Sequence, residues 1–307
     1  MDQEDGDEKS NSRDSALRTE ALDAAGCGSS MVDDTELDRL LREDVPYHDL
    51  TIEALGIGTA TGKLRFAARA AMVVCGVEEA ARRFERQGCR CGSVAPRGQI
   101  VALDETLLSV AGRVDALHHV WKTAQTLVEA VSGIATATAA IVAAVRGIGK
   151  EPVVATTRKN FPGTRALASL ATRAGGASAH RLGLSEALLV FPEHRLFLPS
   201  AQLPDRMRTL KRRHPERKLV VEVLSVDDAV DMARTGADVL QLEKFSPHDV
   251  ARTVQRLQEL TLVPIVAVAG GVNAANAADY ARAGADILVT SAPYWAPPCD
   301  VRVSFAP

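Results

Sequence analysis

The sequence predicts an α/β protein in two parts, an N-terminal α+β unit and a C-terminal incomplete, TIM-like α/β barrel of about six strands. Three observations predict it. From residue 153 onward, short apolar runs alternate with helix-like stretches of about ten residues, the rhythm of βα units that build a parallel sheet. Before residue 114 the pattern is mixed, with strand-like and helix-like segments in no regular alternation. Between the two, residues 114–145 read as one long helix that bridges them. The implied divisions are a tail at 1–31, a first unit at 32–145 and the barrel at 146–307. A 307-residue chain that is 46% hydrophobic and 24% charged is long and apolar enough to bury such cores without staples.

Each element has its own local signal. Residues 34–42 read as a short helix, followed by strand-like runs at 63–70 and 72–75, a helix at 77–87, and runs at 99–103 and 107–111. In the long helix, Leu117, Val120, Ala124, Leu127, Val131 and Ile134 recur on one face. Ser132-Gly133 interrupts that stretch and marks a kink or a close helix contact. The second part pairs strand 153–156 with helix 164–174, 187–190 with 201–213, and 219–224 with 226–235. It continues with 238–242 and 247–260, then 265–268 and 274–283, and closes at 287–290. Ser225 and Ser246 are N-caps by type, the latter followed by Pro247. Gly236 and Gly284 fall where a helix must stop.

Charge is unevenly spread. Residues 1–31 hold eight acids and three bases, a net −5 against −3 for the whole chain, and read as a disordered acidic tail with at most a short helix at 16–24. Residues 146–218 hold fifteen Lys or Arg against five Asp or Glu. Few stacking aromatics accompany that excess, so it suits a basic cavity for a small, multiply charged anion better than a nucleic-acid groove. Part of it, notably Lys211-Arg212-Arg213, reads as a solvated helix face. No run reaches the ~18 consecutive apolar residues of a membrane span, and no signal peptide opens the chain. Five cysteines (Cys27, Cys75, Cys89, Cys91 and Cys299) form no disulfide framework and no zinc set, which points to the cytoplasm.

In a parallel barrel the reactive groups sit just past the C-terminal ends of the strands. Those positions hold Arg158-Lys159 after the first strand, His180-Arg181 before the second and Glu193-His194 after it. Glu222 lies within the third strand, Glu243 ends the fourth, Gly270-Gly271 follow the fifth and Ser291 the sixth. Arg grips carboxylates and phosphates with two parallel hydrogen bonds, and Lys acts as a point charge. A glycine pair opening onto a helix offers backbone N–H groups to a phosphate. Glu222 and Glu243 suit Mg2+ or ribose hydroxyls. Taken singly, His180 reads more readily as a structural histidine, Arg158-Lys159 as surface, and the glycines as a turn. Glu222, flanked by Val221 and Val223, is harder to dismiss, because a buried carboxylate is costly unless paired. Together the strand ends suit a phosphorylated sugar and an anionic partner.

The segment ATTRKNFPG, followed by RALASLATRAGGASAHRLGLSEALLVFPEHR, resembles the signature of the quinolinate (nicotinate-mononucleotide) phosphoribosyltransferase family. LLREDVPYHDLT at 40–51 and WKTAQTLVEAVSGIATAT at 121–138 resemble its opening and its long helix. The wording is closest to a branch of that family associated with molybdenum-transport gene clusters. The resemblance implies an N-terminal α/β sandwich, a barrel of fewer than eight strands, and a homodimer or larger assembly with shared sites. It implies phosphoribosyl pyrophosphate (PRPP), Mg2+ and a pyridine carboxylate as ligands. Its substrate-binding positions fall on Arg158, Lys159, His180, Arg181 and His194, and on Lys122 from a neighbouring subunit, where the family has Arg. Glu222 and Glu243 match the acidic pair for ribose and Mg2+ and, with Lys159, the catalytic positions; Gly270, Gly271 and Ser291 match the phosphate end.

The departures from the family pattern are specific. The family's lysine and aspartate in LIKDNH become Phe191 and Pro192, Ala269 stands for a serine, and Tyr294-Trp295-Ala296 replace a late THS. Loss of a charge-assisted lysine contact costs about 1.5–3 kcal/mol of binding. The expected activity is therefore phosphoribosyl transfer to a pyridine carboxylate or similar acceptor, with pyrophosphate released. The alternatives are the carboxylating enzyme of NAD biosynthesis acting on quinolinate, a non-enzymatic oxyanion or nucleotide binder, and, least in keeping with the composition, a nucleic-acid binder.

Overall fold

The structure, a computed structural model, describes residues 32–307. The acidic tail and its short helix lie outside the described residues. The chain begins with helix α1 (Asp34–Asp44), capped by the Asp33 carboxylate, which accepts from the Glu36 N–H at 2.8 Å. Helix α2 (Leu50–Leu55), strand β1 (Thr61–Ala68), strand β2 (Met72–Val73) and helix α3 (Val77–Arg86) follow. Then come β3 (Arg90–Val94), β4 (Ile100–Val101), β5 (Thr106–Arg113) and the long helix α4 (Val114–Val145). Strand β1 alternates as a half-buried strand should, with Leu64 and Phe66 buried and Arg65 exposed. It pairs antiparallel with β5, placing Leu64 opposite Val110. This sheet packs Leu64, Phe66, Leu107 and Leu108 against Phe84 of α3 and Leu117 and Val120 of α4. Each such side chain stabilises the unit by roughly 1.5–3 kcal/mol on burial.

Helix α4 runs unbroken for 32 residues, about 48 Å at 1.5 Å per residue. At Ser132-Gly133, where a kink or a close helix contact is expected, the helical hydrogen bonding is not interrupted. The close contact is present, but with coil rather than a helix. A Cβ on Gly133 would overlap the Pro297 carbonyl, and Ser132 Oγ both accepts from the Cys75 N–H and donates to its carbonyl, each at 3.1 Å. By length and composition α4 is apolar enough to cross a membrane. Its side chains instead enter three cores: Leu117 and Val120 in the first unit, Leu127 and Val131 beneath α1, and Ile141 and Val145 in the barrel.

The second unit is built from β6 (Val153–Thr156), α5 (Arg165–Ala174), β7 (Ser178–Ala179), β8 (Leu188–Val190) and the short α6 (Pro192–Arg195). It continues with α7 (Leu203–Arg213), β9 (Leu219–Val223), α8 (Val226–Arg234), β10 (Val239–Glu243) and α9 (Pro247–Glu259). Strand β11 (Ile265–Ala269), α10 (Ala277–Arg282) and β12 (Ile287–Thr290) complete it. The strands form one parallel sheet in the order β7-β6-β12-β11-β10-β9-β8, a partial barrel open between β7 and β8. Seven strands stand where about six are expected, because β7 has two residues and is too short to show a period. Ser225 and Ser246 cap α8 and α9, accepting from Asp228 and Asp249 N–H at 3.1 Å, and Gly236 and Gly284 take φ of 91° and 98°. The last strand, β13 (Val301–Ala306), pairs antiparallel with β1. The chain thus leaves the barrel after β12 and returns to the first sheet.

Candidate active site

The C-terminal ends of the seven parallel strands open onto a cavity of about 760 Å³. Its first wall is cationic. Strand β6 ends at buried Thr156, whose carbonyl accepts from the His180 N–H at 2.9 Å, so the two cation-bearing loops are joined at their base. The loop from residue 157 is pinned at several points. Tyr294 Oη donates to the Thr157 carbonyl at 2.7 Å, and the Lys159 N–H donates to Thr157 Oγ1 at 3.2 Å. Arg165, at the start of α5, donates to the Leu182 carbonyl at 3.0 Å and ties the second loop to the first. Arg158, Lys159, His180 and Arg181 all line the cavity.

Among the described residues, Arg158, Lys159 and Arg181 form no ion pair with any protein carboxylate. Arg181 is only 8% exposed, and both burial and the charge of Arg158 press its pKa down. Its guanidinium lies 5.8 Å from the Phe191 ring centre. Burial, and then the charge of Arg181, lowers the His180 pKa, so the imidazole is neutral at pH 7. Buried Arg181, half-buried Arg158 and exposed Lys159 thus line one wall without an ion-paired acid, and cations so placed are stabilised by an incoming anion.

The opposite wall is acidic. Glu222, near the end of β9, and Gln241 of β10 occupy facing positions in the parallel register, and Gln241 Nε2 donates to Glu222 Oε2 at 2.6 Å. Glu243 follows two residues later on the same face of β10, and Glu193 joins them from α6. Burial raises the Glu222 pKa, the Gln241 hydrogen bond opposes that rise, and the neighbouring Glu243 and Glu193 reinforce it. Arg195 braces this side by donating to both oxygens of Asp228 at 2.6 and 2.9 Å and to the Glu222 carbonyl at 3.2 Å.

Between the walls lies the glycine turn after β11. Gly270 has φ of 87°, and a Cβ there would come within 2.9 Å of Glu243 Oε1 and of the Lys244 backbone nitrogen. The position therefore needs glycine both for its backbone and for the approach of Glu243. Gly271 needs it for φ of 91° alone. The glycines do not open directly onto a helix as expected. An asparagine turn intervenes, in which Asn273 and Asn276 donate to the Gly271 carbonyl at 3.1 and 3.0 Å, before α10 begins at Ala277. Ser291 also lines the cavity.

Two residues given site roles do not line this chain's own cavity, one of them, Lys122, having been expected to serve a neighbouring subunit. Lys122 is on α4, with Nζ 4.3 Å from the Trp121 ring centre and donating to Gln125 Oε1 at 3.2 Å. His194 Nδ1 accepts from the Phe191 N–H at 2.9 Å, so the ring caps α6 rather than lining the cavity. Gln241 and Asn273 line the cavity without having been singled out from the sequence, and Glu193, named there as a strand-end position without a role, lines it too. For Gln241 the signal is present: Gln241 and Glu243 are polar at alternate positions of an otherwise apolar strand. Asn273 gives no such signal.

Among the described residues no group of three or more His, Cys, Asp or Glu side chains could hold a metal ion by itself. Glu222 and Glu243 offer hard carboxylate oxygens. That donor set fits Mg2+, which commonly takes one or two carboxylates and completes its shell with water and substrate phosphates.

A parallel barrel with unpaired cations facing carboxylates across a glycine turn is the arrangement of an enzyme that handles phosphorylated sugars. Comparison with known proteins narrows that class. Residues 49–132 match the N-terminal domain, and residues 134–304 the C-terminal domain, of quinolinate phosphoribosyl transferase. A Rhodobacter capsulatus protein named "Putative pyrophosphorylase ModD" is 46% identical over 254 residues, covering 83% of this chain and 98% of that one. An Archaeoglobus fulgidus protein named "Probable nicotinate-nucleotide pyrophosphorylase" is 34% identical over 193 residues, covering 62% and 73%. The crystal structure of nicotinate-nucleotide pyrophosphorylase from Ehrlichia chaffeensis superposes with a TM-score of 0.82 at 20% identity, covering 89% and 99%, which shows a shared fold. The chain belongs to the quinolinate phosphoribosyl transferase family of pentosyltransferases, in its ModD-type branch.

Proposed function

We propose that the protein transfers phosphoribose from PRPP to a pyridine carboxylate or a similar anionic acceptor and releases pyrophosphate. The observation that carries this reading is the pair of opposed walls, with Arg158, Lys159 and Arg181 unpaired on one side and Glu222 and Glu243 on the other. The bond from C1 of the ribose to pyrophosphate breaks, its electron pair leaves with pyrophosphate, and a sugar cation remains. The lone pair of the acceptor nitrogen then forms the new bond at C1. Arg158, His180 and Arg181 orient the acceptor through its carboxylate, Lys159 meets the leaving diphosphate, and Glu222 and Glu243 stabilise the developing positive charge. Catalysis by such groups is positioning and electrostatics. Mg2+ held by Glu222 and Glu243 would neutralise charge on the departing pyrophosphate. Gly270, Gly271 and Ser291 bind the 5′-phosphate.

Lys122, on the first unit, reaches an acceptor only from a second copy, so the reading includes a homodimer or larger assembly with shared sites. Phe191 in the cavity lining favours an acceptor other than quinolinate, because it removes a charge and supplies an apolar face. The second reading is transfer to quinolinate with loss of one carboxylate as carbon dioxide, as in NAD biosynthesis; the Archaeoglobus fulgidus relative's name, a nicotinate-nucleotide pyrophosphorylase, favours it. A link to molybdenum uptake is part of the proposal through the ModD-type branch alone. A cytoplasmic location accords with four free cysteines among the described residues. Acceptor-dependent pyrophosphate release from PRPP tests the function, and carbon dioxide release in the same mixture separates the two readings.

A further inference from the structure

We propose that Gln241 is a positioning residue for the Glu222 carboxylate, and that the two side chains hold the ligand as a unit. The proposal rests on the sugar-phosphate reading of the cavity. Gln241 is 5% exposed and stands between Leu240 and Leu242 on β10, facing Glu222 across the parallel pairing. Its Nε2 donates to Glu222 Oε2 at 2.6 Å, the one hydrogen bond of the Glu222 side chain among the described residues. One carboxylate oxygen is thereby tied to the wall, and the other is left for the ligand.

The rest of the Gln241 amide is not explained by packing. Its Oε1 is buried and has no donor. Turning the amide over would set Oε1 against an ionised carboxylate, acceptor facing acceptor, so the charge on Glu222 fixes the orientation that leaves Oε1 unsatisfied. A buried acceptor without a donor opposes folding. Methionine, of similar length and without that group, would suit an interior row that also holds Val239 and, on β11, Ala267. A glutamine that leaves a polar atom unmet is accounted for by what it does to Glu222: it confines a carboxylate beside a cavity to one orientation before the ligand arrives.

Calorimetric titration with PRPP and Mg2+ tests the proposal on wild type, Gln241→Met, Glu222→Gln and the double variant. Gln241→Met is expected to weaken binding by roughly tenfold or more and to add nothing once Glu222 is glutamine, because its effect passes through that carboxylate. Additive losses, or wild-type affinity in Gln241→Met, overturn it. The unfolding midpoint of Gln241→Met is expected to match or exceed that of wild type, and a marked drop would assign the residue to packing. A ligand-free readout separates this proposal from the proposed function. In ¹⁵N-labelled free protein, the side-chain amide protons of Gln241 are expected to shift on Glu222→Gln, and an unmoved resonance overturns the pairing. Wild type that binds no PRPP, while that amide still responds, overturns the sugar-phosphate reading and the ligand-holding half of this proposal, and the pairing stands.

Discussion

At the β6–β7 edge of the cavity, Arg158, Lys159 and Arg181 stand on loops, and among the described residues none of them is ion-paired, although the charge of Lys159 is felt at Glu222. At the β8–β10 edge, Glu222 and Glu243 stand on the strands themselves, braced by Gln241 and by Arg195. The difference teaches how one sheet prepares both signs of charge. Strand-borne carboxylates are held by register and have little freedom to move. Loop-borne cations are held by their backbones, through Tyr294, Thr157 and Arg165, and their charged ends remain available. The acidic edge is pre-set, and the cationic edge is completed by the anion it receives.

The largest effects should come from removing one edge outright. Arg158→Ala and Glu222→Ala are each expected to lower turnover by roughly a thousandfold or more, with circular dichroism and unfolding midpoint close to wild type. Near-wild-type rates in either would break the comparison, because that edge would then be surface. Next comes the joint between the edges. Gly270→Ala places a Cβ against Glu243 and the Lys244 backbone at φ of 87°, and is expected to cost roughly 1–3 kcal/mol in urea unfolding as well as PRPP affinity. Wild-type stability there would mean that the turn yields easily.

Phe191→Lys sharpens the cationic side by restoring a charge beside Arg181. PRPP affinity is expected to rise roughly tenfold, as a charge-assisted contact allows, while affinity for the acceptor falls. Calorimetry with each ligand separates the two changes, and an unchanged PRPP affinity would remove the lysine position from the diphosphate site. The smallest effect concerns His180. Burial lowers its folded pKa, so between roughly pH 6.5 and that lowered value the unfolded chain binds more protons. Stability therefore falls as pH drops through this window, and His180→Gln is expected to flatten the fall in urea midpoint measured from pH 7 to pH 5. An unaltered slope would mean that a ligand-free His180 is already solvated.

The alternation of strands and helices was legible because each buried parallel strand needs a short apolar run and each helix a cap, and both are local. Strand β7 was not legible, since two residues carry no period, and neither was β13, whose partner β1 lies some 240 residues earlier in the chain. Ser132-Gly133 signalled a special contact, but its nature depended on where Pro297-Pro298 pass. In the site, Glu222 stood out because a carboxylate conflicts with the valines beside it, and Arg158 and Gly270 stood out only by their place at successive strand ends. Gln241 carried the same conflict and was absorbed into an apolar run. His194 shows the limit of carrying a role by position, since its ring is engaged as a helix cap, whereas Lys122, expected to serve a neighbouring subunit, meets Gln125 and Trp121 of its own helix.

The most direct test of the opposed-walls account is pyrophosphate release by the purified protein with Mg2+, PRPP and a panel of pyridine carboxylates at equal concentration. The account predicts release that depends on one acceptor and disappears in both Arg158→Ala and Glu222→Ala. Binding of PRPP without release for any acceptor, or release that survives loss of either wall, would contradict it.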